Sequence, residues 1–328
     1  MESRFYSSQA NEEENVNEKS LRPKNFSEYI GQSKVVKNIE LMVKSSHKRK
    51  EAMDHVLLSG PPGLGKTSLA MIISNELGTN LHTITGPALE KKGDLAAILT
   101  NLEKGDVLFI DEIHRMNISI EEILYSAMED FRLDIIIGQG PSARTMEVAI
   151  EPFTLIGATT RSGLLSSPLR DRFTAHLHFE FYSPEDLATI IKNNALKFNI
   201  QVDEASLLKI STCSRGTPRI ANRILKRVRD FAIVEDYECV DKTVVDNSLD
   251  LMDIDHLGLD RMDRKIIKVI YEYYGGGPVG IDALCATLGE DRTTIEDVYE
   301  PYLLKEGYLI RTPRGREISQ KSKNHITS

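Results

Sequence analysis

The nine residues Gly-Pro-Pro-Gly-Leu-Gly-Lys-Thr-Ser, from Gly60 to Ser68, constrain the fold more than any other part of the chain. They follow a short apolar run, HVLLSG at 55–60, and open an apolar-periodic segment, 66–77, that stops at Gly78. A GxxxxGK[ST] turn between a strand and a helix is the context a phosphate-binding loop requires. Its glycines let backbone N–H groups converge on phosphate oxygens, and the helix N-terminus adds the positive end of its dipole. Lys66 is then placed to reach the β- and γ-phosphates and Thr67 to offer a hydroxyl to Mg²⁺. Gly63, Gly65 and Ser68 complete the expected ATP cradle.

The rest of the N-terminal half agrees with such a loop. DVLFIDEI (106–113) and FTLIGATT (153–160) read as two further buried strands, separated by helical patterns at 94–103 and 118–130. Alternation of strand and helix implies an α/β fold, a parallel sheet flanked by helices. Asp111 and Glu112 close the second strand, where acidic groups meet ligands in parallel sheets. Asp111 is expected to hold Mg²⁺, and Glu112 to orient or activate water. Between the last two strands, 132–152 reads as a β-hairpin around a Gly-Gln-Gly-Pro turn, with Ile135, Ile136, Ile137, Val148 and Ile150 divided between its faces.

From Ser183 the pattern is all helical, opening with a Ser cap and Pro at N1 and continuing at about 203–214, 217–236 and 241–252. After a linker near 253–260, two helices, a third from Asp291 that Pro301 should kink or restart, and two short strands around TPRGR read as a winged helix. Arg311, Arg314 and Arg316 on the wing, with Arg292 at the start of the third helix, are the expected DNA contacts. The implied division is a flexible tail at 1–20, a large ATPase domain at 21–182, a lid at 183–256 and a winged helix at 257–328.

The chain has 41 Lys+Arg against 49 Asp+Glu, a formal charge of −8, which argues against coating nucleic acid over its whole surface. The last 24 residues nonetheless hold six bases and two acids. Three scattered cysteines and the lack of a long apolar run predict a reduced, cytoplasmic protein with no membrane association.

DEIHR, GATTR, SPLRDRF and a lid bearing GTPR together resemble the AAA+ ATPases. LRPKNFSEYIGQ (21–32), YSAMEDFRLDIIIGQGPSARTM (125–146), GTPRIANRILKRVRDFA (216–232) and EPYLLKEGYLIRTPRGR (300–316) narrow the resemblance to the RuvB family, the bacterial Holliday-junction branch-migration motors. It covers about 21–320. The resemblance implies a homohexamer on double-stranded DNA and four-way junctions, powered by ATP and Mg²⁺, with RuvA docking on the hairpin 132–152. It implies Thr160 as sensor 1 with Thr159 the alternative, Arg219 as sensor 2, and Arg172 as an arginine finger acting on the neighbouring subunit, with Arg170 the runner-up. It also places Glu129, Asp130 and Phe131 beside nucleotide, and Leu21, Arg22, Tyr182 and Pro218 near the base, with Tyr29 and Ile30 close by. A clamp-loader-like or replication-initiator ATPase, and a nucleotide-gated DNA-binding regulator, are the competing readings.

Overall fold

The computed structural model describes residues 21–137 and 144–327; the expected tail at 1–20 lies outside them. Contacts divide the chain into two units. The first comprises the described residues up to Gly60 together with Gly65–Glu180, and the second comprises Pro61–Leu64 and the chain from Phe181 onward.

The first unit is built on five parallel strands in the order β2-β3-β6-β1-β7. These are β1 (Val56–Ser59), β2 (Leu81–Thr85), β3 (Val107–Asp111), β6 (Thr154–Thr159) and β7 (Ala175–His178). The helices are α1 (Ser33–Arg49), α2 (Lys66–Leu77), α3 (Lys92–Thr100), α4 (Ile118–Asp130) and the short α5 (Ser167–Arg170). The three strands expected from their continuous apolar runs, β1, β3 and β6, are the central ones and are buried on both faces. The two edge strands mix half-buried and exposed residues with none buried, and their sequences LHTIT and AHLH carry no continuous apolar signal. Helix α2 ends at Gly78 in a left-handed cap whose N–H bonds back to Ser74 and Asn75. Register sets Ser59 opposite Thr159 and Ile110 opposite Gly157, so the tips of β1, β3 and β6 finish together at one edge of the sheet.

β4 (Arg132–Ile137) and β5 (Arg144–Ala149) form the separate antiparallel hairpin. Its base is anchored: Leu133 and Ile150 are buried with Leu124 and Phe153, Val148 packs partly against them, and Met146 is exposed. The side chains of Ile135, Ile136 and Ile137 lie outside the described residues.

The second unit begins, after Pro61–Leu64, with α6 (Pro184–Lys197), α7 (Glu204–Cys213), α8 (Pro218–Val234) and α9 (Lys242–Leu251). Ser183 caps α6 by accepting from the Asp186 N–H at 3.1 Å, as its sequence signature implies. A winged helix follows: α10 (Arg261–Tyr274), α11 (Ile281–Leu288), α12 (Arg292–Thr294), a π-helical turn (Ile295–Tyr299), α13 (Glu300–Lys305), β8 (Leu309–Thr312), β9 (Gly315–Ile318) and α14 (Gln320–Thr327). Pro301 sits in the first turn of α13, directly after the π-helical turn, so the third helix stays helical from 292 to 305 but its hydrogen-bond ladder changes at the proline. Leu259, Ile266, Ile270, Leu284, Leu303, Leu309 and Ile318 share one core. Gly277 is obligatory at the wing's base, because a Cβ there would meet the Arg316 carbonyl oxygen at 2.6 Å and its φ is +104°.

Candidate functional site

The turn from β1 into α2 takes a shape that its glycines alone permit. Gly60, Gly63 and Gly65 all have positive φ, and a Cβ at Gly60 would lie 2.6 Å from the Phe179 carbonyl oxygen. Gly65 precedes α2 without a side-chain cap, which leaves the first N–H groups of that helix to another acceptor. Lys66 is 8% exposed and donates to the Gly60 carbonyl at 2.7 Å. Burial pushes its ammonium down to about 8, partly offset by the Asp111 carboxylate nearby.

At the tip of β3, Asp111 accepts from the Glu112 N–H at 2.9 Å. Glu112 adopts φ +49°, and its Oε2 is 2.9 Å from Arg115 Nη1. A left-handed carboxylate residue at a strand end is uncommon backbone and holds this side chain at the sheet's ligand-binding edge. The two threonines at the tip of β6 part company. Thr159 is buried, pairs with His114 Nδ1 at 3.0 Å and accepts from the Arg161 N–H at 2.9 Å. Thr160 lies one residue beyond the strand and is half-buried.

The expected arginine finger is held on α4 of its own chain. Arg172 lies 4.6 Å above the Tyr125 ring, donates to Glu129 Oε2 at 3.0 Å and donates to the Pro168 carbonyl at 2.7 Å. Glu129 and Asp130 are exposed at the end of that helix, and Phe131 closes it with φ +48°. Tyr125 was not among the sequence-derived candidates; its signal is the one-turn spacing to Glu129, which puts ring and carboxylate on one face. Near the start of the unit, Leu21 is buried, Arg22 points its Nη1 at Met71 Sδ at 3.4 Å, and the Tyr29 hydroxyl reaches the Gly65 carbonyl at 3.4 Å.

In the second unit, Tyr182 is buried and its hydroxyl donates to the Leu64 carbonyl at 3.2 Å. Pro218 opens α8, and the Arg219 N–H donates to the Gly63 carbonyl at 3.4 Å while its side chain stays exposed. A Cβ at Gly63 would sit 3.1 Å from that of Arg219. The loop's middle and the GTPR turn therefore meet through backbone. Among the described residues no cluster of three or more His, Cys, Asp or Glu forms a ready-made metal site. The donors that remain, the Thr67 hydroxyl and the Asp111 carboxylate, are hard oxygens suited to Mg²⁺, which keeps waters and phosphate oxygens as its other ligands.

Three family descriptions match consecutive stretches of the chain. "Holliday junction DNA helicase RuvB P-loop domain" matches residues 21–179, "RuvB AAA lid domain" 182–255 and "RuvB C-terminal winged helix domain" 256–327. The chain belongs to the RuvB family. The Holliday junction branch migration complex subunit RuvB of Lactobacillus gasseri is 52% identical over 98% of this chain and 95% of its own length. The protein of the same name from Lactococcus lactis is 53% identical over 94% of this chain and 93% of its own. The solved structure of the Thermotoga maritima RuvB Holliday junction branch migration motor superposes with a TM-score of 0.87 at 51% identity, covering 94% of this chain and 98% of that one. This RuvB-family chain is a P-loop ATPase of the AAA+ type with a helical lid and a winged helix.

In its winged helix the four candidate arginines do not share one environment. Arg314 is exposed at the turn between β8 and β9. Arg311 is exposed, within 3.9–4.0 Å of Glu300 and Glu296, and Arg292 is exposed, 3.2 Å from Glu296. Arg316 is 6% exposed, and its guanidinium is forked onto Glu300 at 2.9–3.1 Å and Glu296 at 3.0 Å. Burial raises the Glu296 pKa, but the hydrogen bonds and charges of Arg292 and Arg316 outweigh it and hold the carboxyl below its ordinary value. Arg316 is thus turned into the wing and paired with two carboxylates, whereas its sequence position alone put it on a par with Arg311 and Arg314. Alternation along β9 turns residues 316 and 318 inward while Arg314, in the turn, faces out.

Proposed function

We propose that this chain is the ATP-driven subunit of a hexameric ring that moves double-stranded DNA and so drives branch migration of a four-way junction, acting in the cytoplasm with RuvA. The observation that supports the reading best is the union, in one RuvB-family chain, of an uncapped phosphate loop, an acidic strand tip and a winged helix presenting Arg314.

In this reading the α2 N-terminus and Lys66 receive the phosphates, with Gly63, Gly65, Thr67 and Ser68 lining the cradle. Thr67 and Asp111 are the residues that would hold Mg²⁺, which would supply positive charge to the phosphates when bound. Glu112 takes the proton of the attacking water, once its pairing with Arg115 yields. Thr160 orients that water, because the hydroxyl of Thr159 is already committed to His114 and the Arg161 N–H. Leu21, Arg22, Tyr182 and Pro218 border the base, and Arg219 senses the phosphates.

Arg172 supplies positive charge to the transition state on the neighbouring subunit, together with the Glu129–Phe131 edge. Its hold by Tyr125 and Glu129 fixes the starting position from which it reaches across. Arg314, Arg311 and Arg292 contact the DNA backbone. Few phosphates are neutralised per subunit, so affinity depends on several wings acting together. The hairpin of β4 and β5 is the docking element for RuvA, its base fixed in the core by Leu133 and Ile150.

The test is to mix the purified protein with RuvA, a synthetic four-way junction, ATP and Mg²⁺. ATP-dependent junction dissociation is expected. Failure to dissociate the junction while ATP is hydrolysed would remove the branch-migration reading and leave only the ATPase.

A further inference from the structure

The turn between α7 and α8 holds an ion cluster to which none of the roles above is assigned. Arg215 takes a left-handed conformation there, φ +55°, and is 5% exposed. Its Nη1 donates to Asp260 Oδ2 at 2.9 Å and its Nη2 to Asp263 Oδ1 at 3.0 Å. These two acids are the N-cap and third residue of α10 and cap each other's backbone N–H groups. The guanidinium also lies 4.8 Å from the Tyr302 ring and 5.6 Å from the Tyr299 ring. One side chain from the lid turn is therefore gripped by both the first helix of the winged helix and its interrupted third helix.

Stability alone does not explain this choice of residues. Replacing a buried ion pair by apolar side chains of similar volume is often neutral or stabilising, so the pair is weak evidence for a stabilising role. What a planar guanidinium fork adds is one fixed orientation. Asp263 is fully buried, and burial pushes its carboxyl up to about 7 against the pull of Arg215. Neighbouring contacts close the same joint: a Cβ at Gly258 would meet Cys213 Cα at 2.8 Å, and Lys305 lies over the Phe181 ring at 4.8 Å. Four residues beyond Arg215 comes Arg219, the residue whose backbone meets the phosphate loop at Gly63.

We propose that Arg215 is a positioning residue that locks the winged helix to the turn carrying Arg219, so that nucleotide-driven movement of that turn is delivered to the wing as displacement of DNA. The proposal rests on the motor reading. A lid that shifted under a loosely attached winged helix would hydrolyse ATP and move little DNA. With the fork in place, the turn and α10 move as one body.

The test uses the full-length protein with RuvA, a four-way junction, ATP and Mg²⁺, and compares wild type with Arg215→Lys and with Arg215→Met combined with Asp263→Asn. The double variant leaves no unpaired charge at Asp263, and Arg215→Lys keeps the charge but not the fork. KM and kcat for ATP without DNA should stay near wild type. ATP consumed per junction dissociated should rise about 2–30-fold, the range typical of residues that modulate coupling, with Arg215→Lys the milder. Unchanged ATP consumption per junction in both variants overturns the proposal. So does a parallel collapse of ATP binding and turnover in both, which marks a merely structural role. A wild-type protein that dissociates no junctions overturns the motor reading, and this inference with it.

Discussion

The phosphate loop and the wing both carry basic side chains, yet only one of them is legible residue by residue. In the loop, function and local geometry are the same thing. The glycines at 60, 63 and 65 exist to let backbone approach phosphate, and Lys66 has one place to go. In the wing, what each arginine can reach depends on how the rest of the domain pairs it. Arg314 and Arg316 are two residues apart, but one is at an exposed turn and the other is forked onto Glu296 and Glu300, 16 to 20 residues earlier in the chain. A local motif carries its own geometry; a basic stretch does not.

The largest effect expected from this contrast is at the loop. Lys66→Ala should reduce ATP hydrolysis to background, and Arg172→Ala should cost about 10³-fold or more in kcat with ATP binding nearly intact, since a finger stabilises only the transition state. Steady-state turnover alongside fluorescent-nucleotide binding separates the two. If Arg172→Ala kept its turnover, Arg170 would become the candidate.

Next in size is the wing. Arg316→Ala removes one partner of a buried ion cluster and should destabilise the winged helix by about 3–5 kcal/mol. Arg314→Ala should leave the melting temperature unchanged while weakening duplex binding and lowering its log–log salt slope by about one. Equal effects of the two substitutions on salt slope, with no change in stability, would erase the distinction between the arginines.

Smaller again is the split at the tip of β6. Thr159→Val should cost about 1–2 kcal/mol of stability by stranding buried partners, whereas Thr160→Val should spare stability and lower kcat.

The last effect is one of pH. Lys66 titrates near 8 in the free protein, below its ordinary value, and phosphates favour its charged form. Without nucleotide Lys66 is charged well below pH 8 and loses its proton above it, so ATP affinity should be level at lower pH and fall as pH rises through 8 and beyond. Calorimetry at pH 8.5 in two buffers should show proton uptake on binding, and none in a Lys66→Met control.

Much of the fold was readable because the central strands are buried on both faces and so appear as unbroken apolar runs. Strands β2 and β7 were not readable, because each pairs on one side only and has none of its residues buried. Pro301 announced a disturbance in the third winged-helix helix, which the structure shows as a π-helical turn just before it, since proline's effect on the backbone is local. The ring of Tyr125 beneath Arg172 and the Arg215 fork onto Asp260 and Asp263 were hidden for the opposite reason. Each joins segments more than forty residues apart, and no periodicity in either segment reports the other.

The most direct measurement of the account is turnover in trans. Glu112→Gln subunits retain Arg172 but lack the residue proposed to activate water; Arg172→Ala subunits retain Glu112 but lack the proposed finger. Each alone should hydrolyse ATP at background. Mixed in equal amounts with DNA, they should recover a substantial share of wild-type turnover, because a Glu112→Gln subunit lends Arg172 to the intact site beside it. A mixture as inactive as its components would contradict a finger shared between neighbouring subunits and the ring on which the motor reading depends.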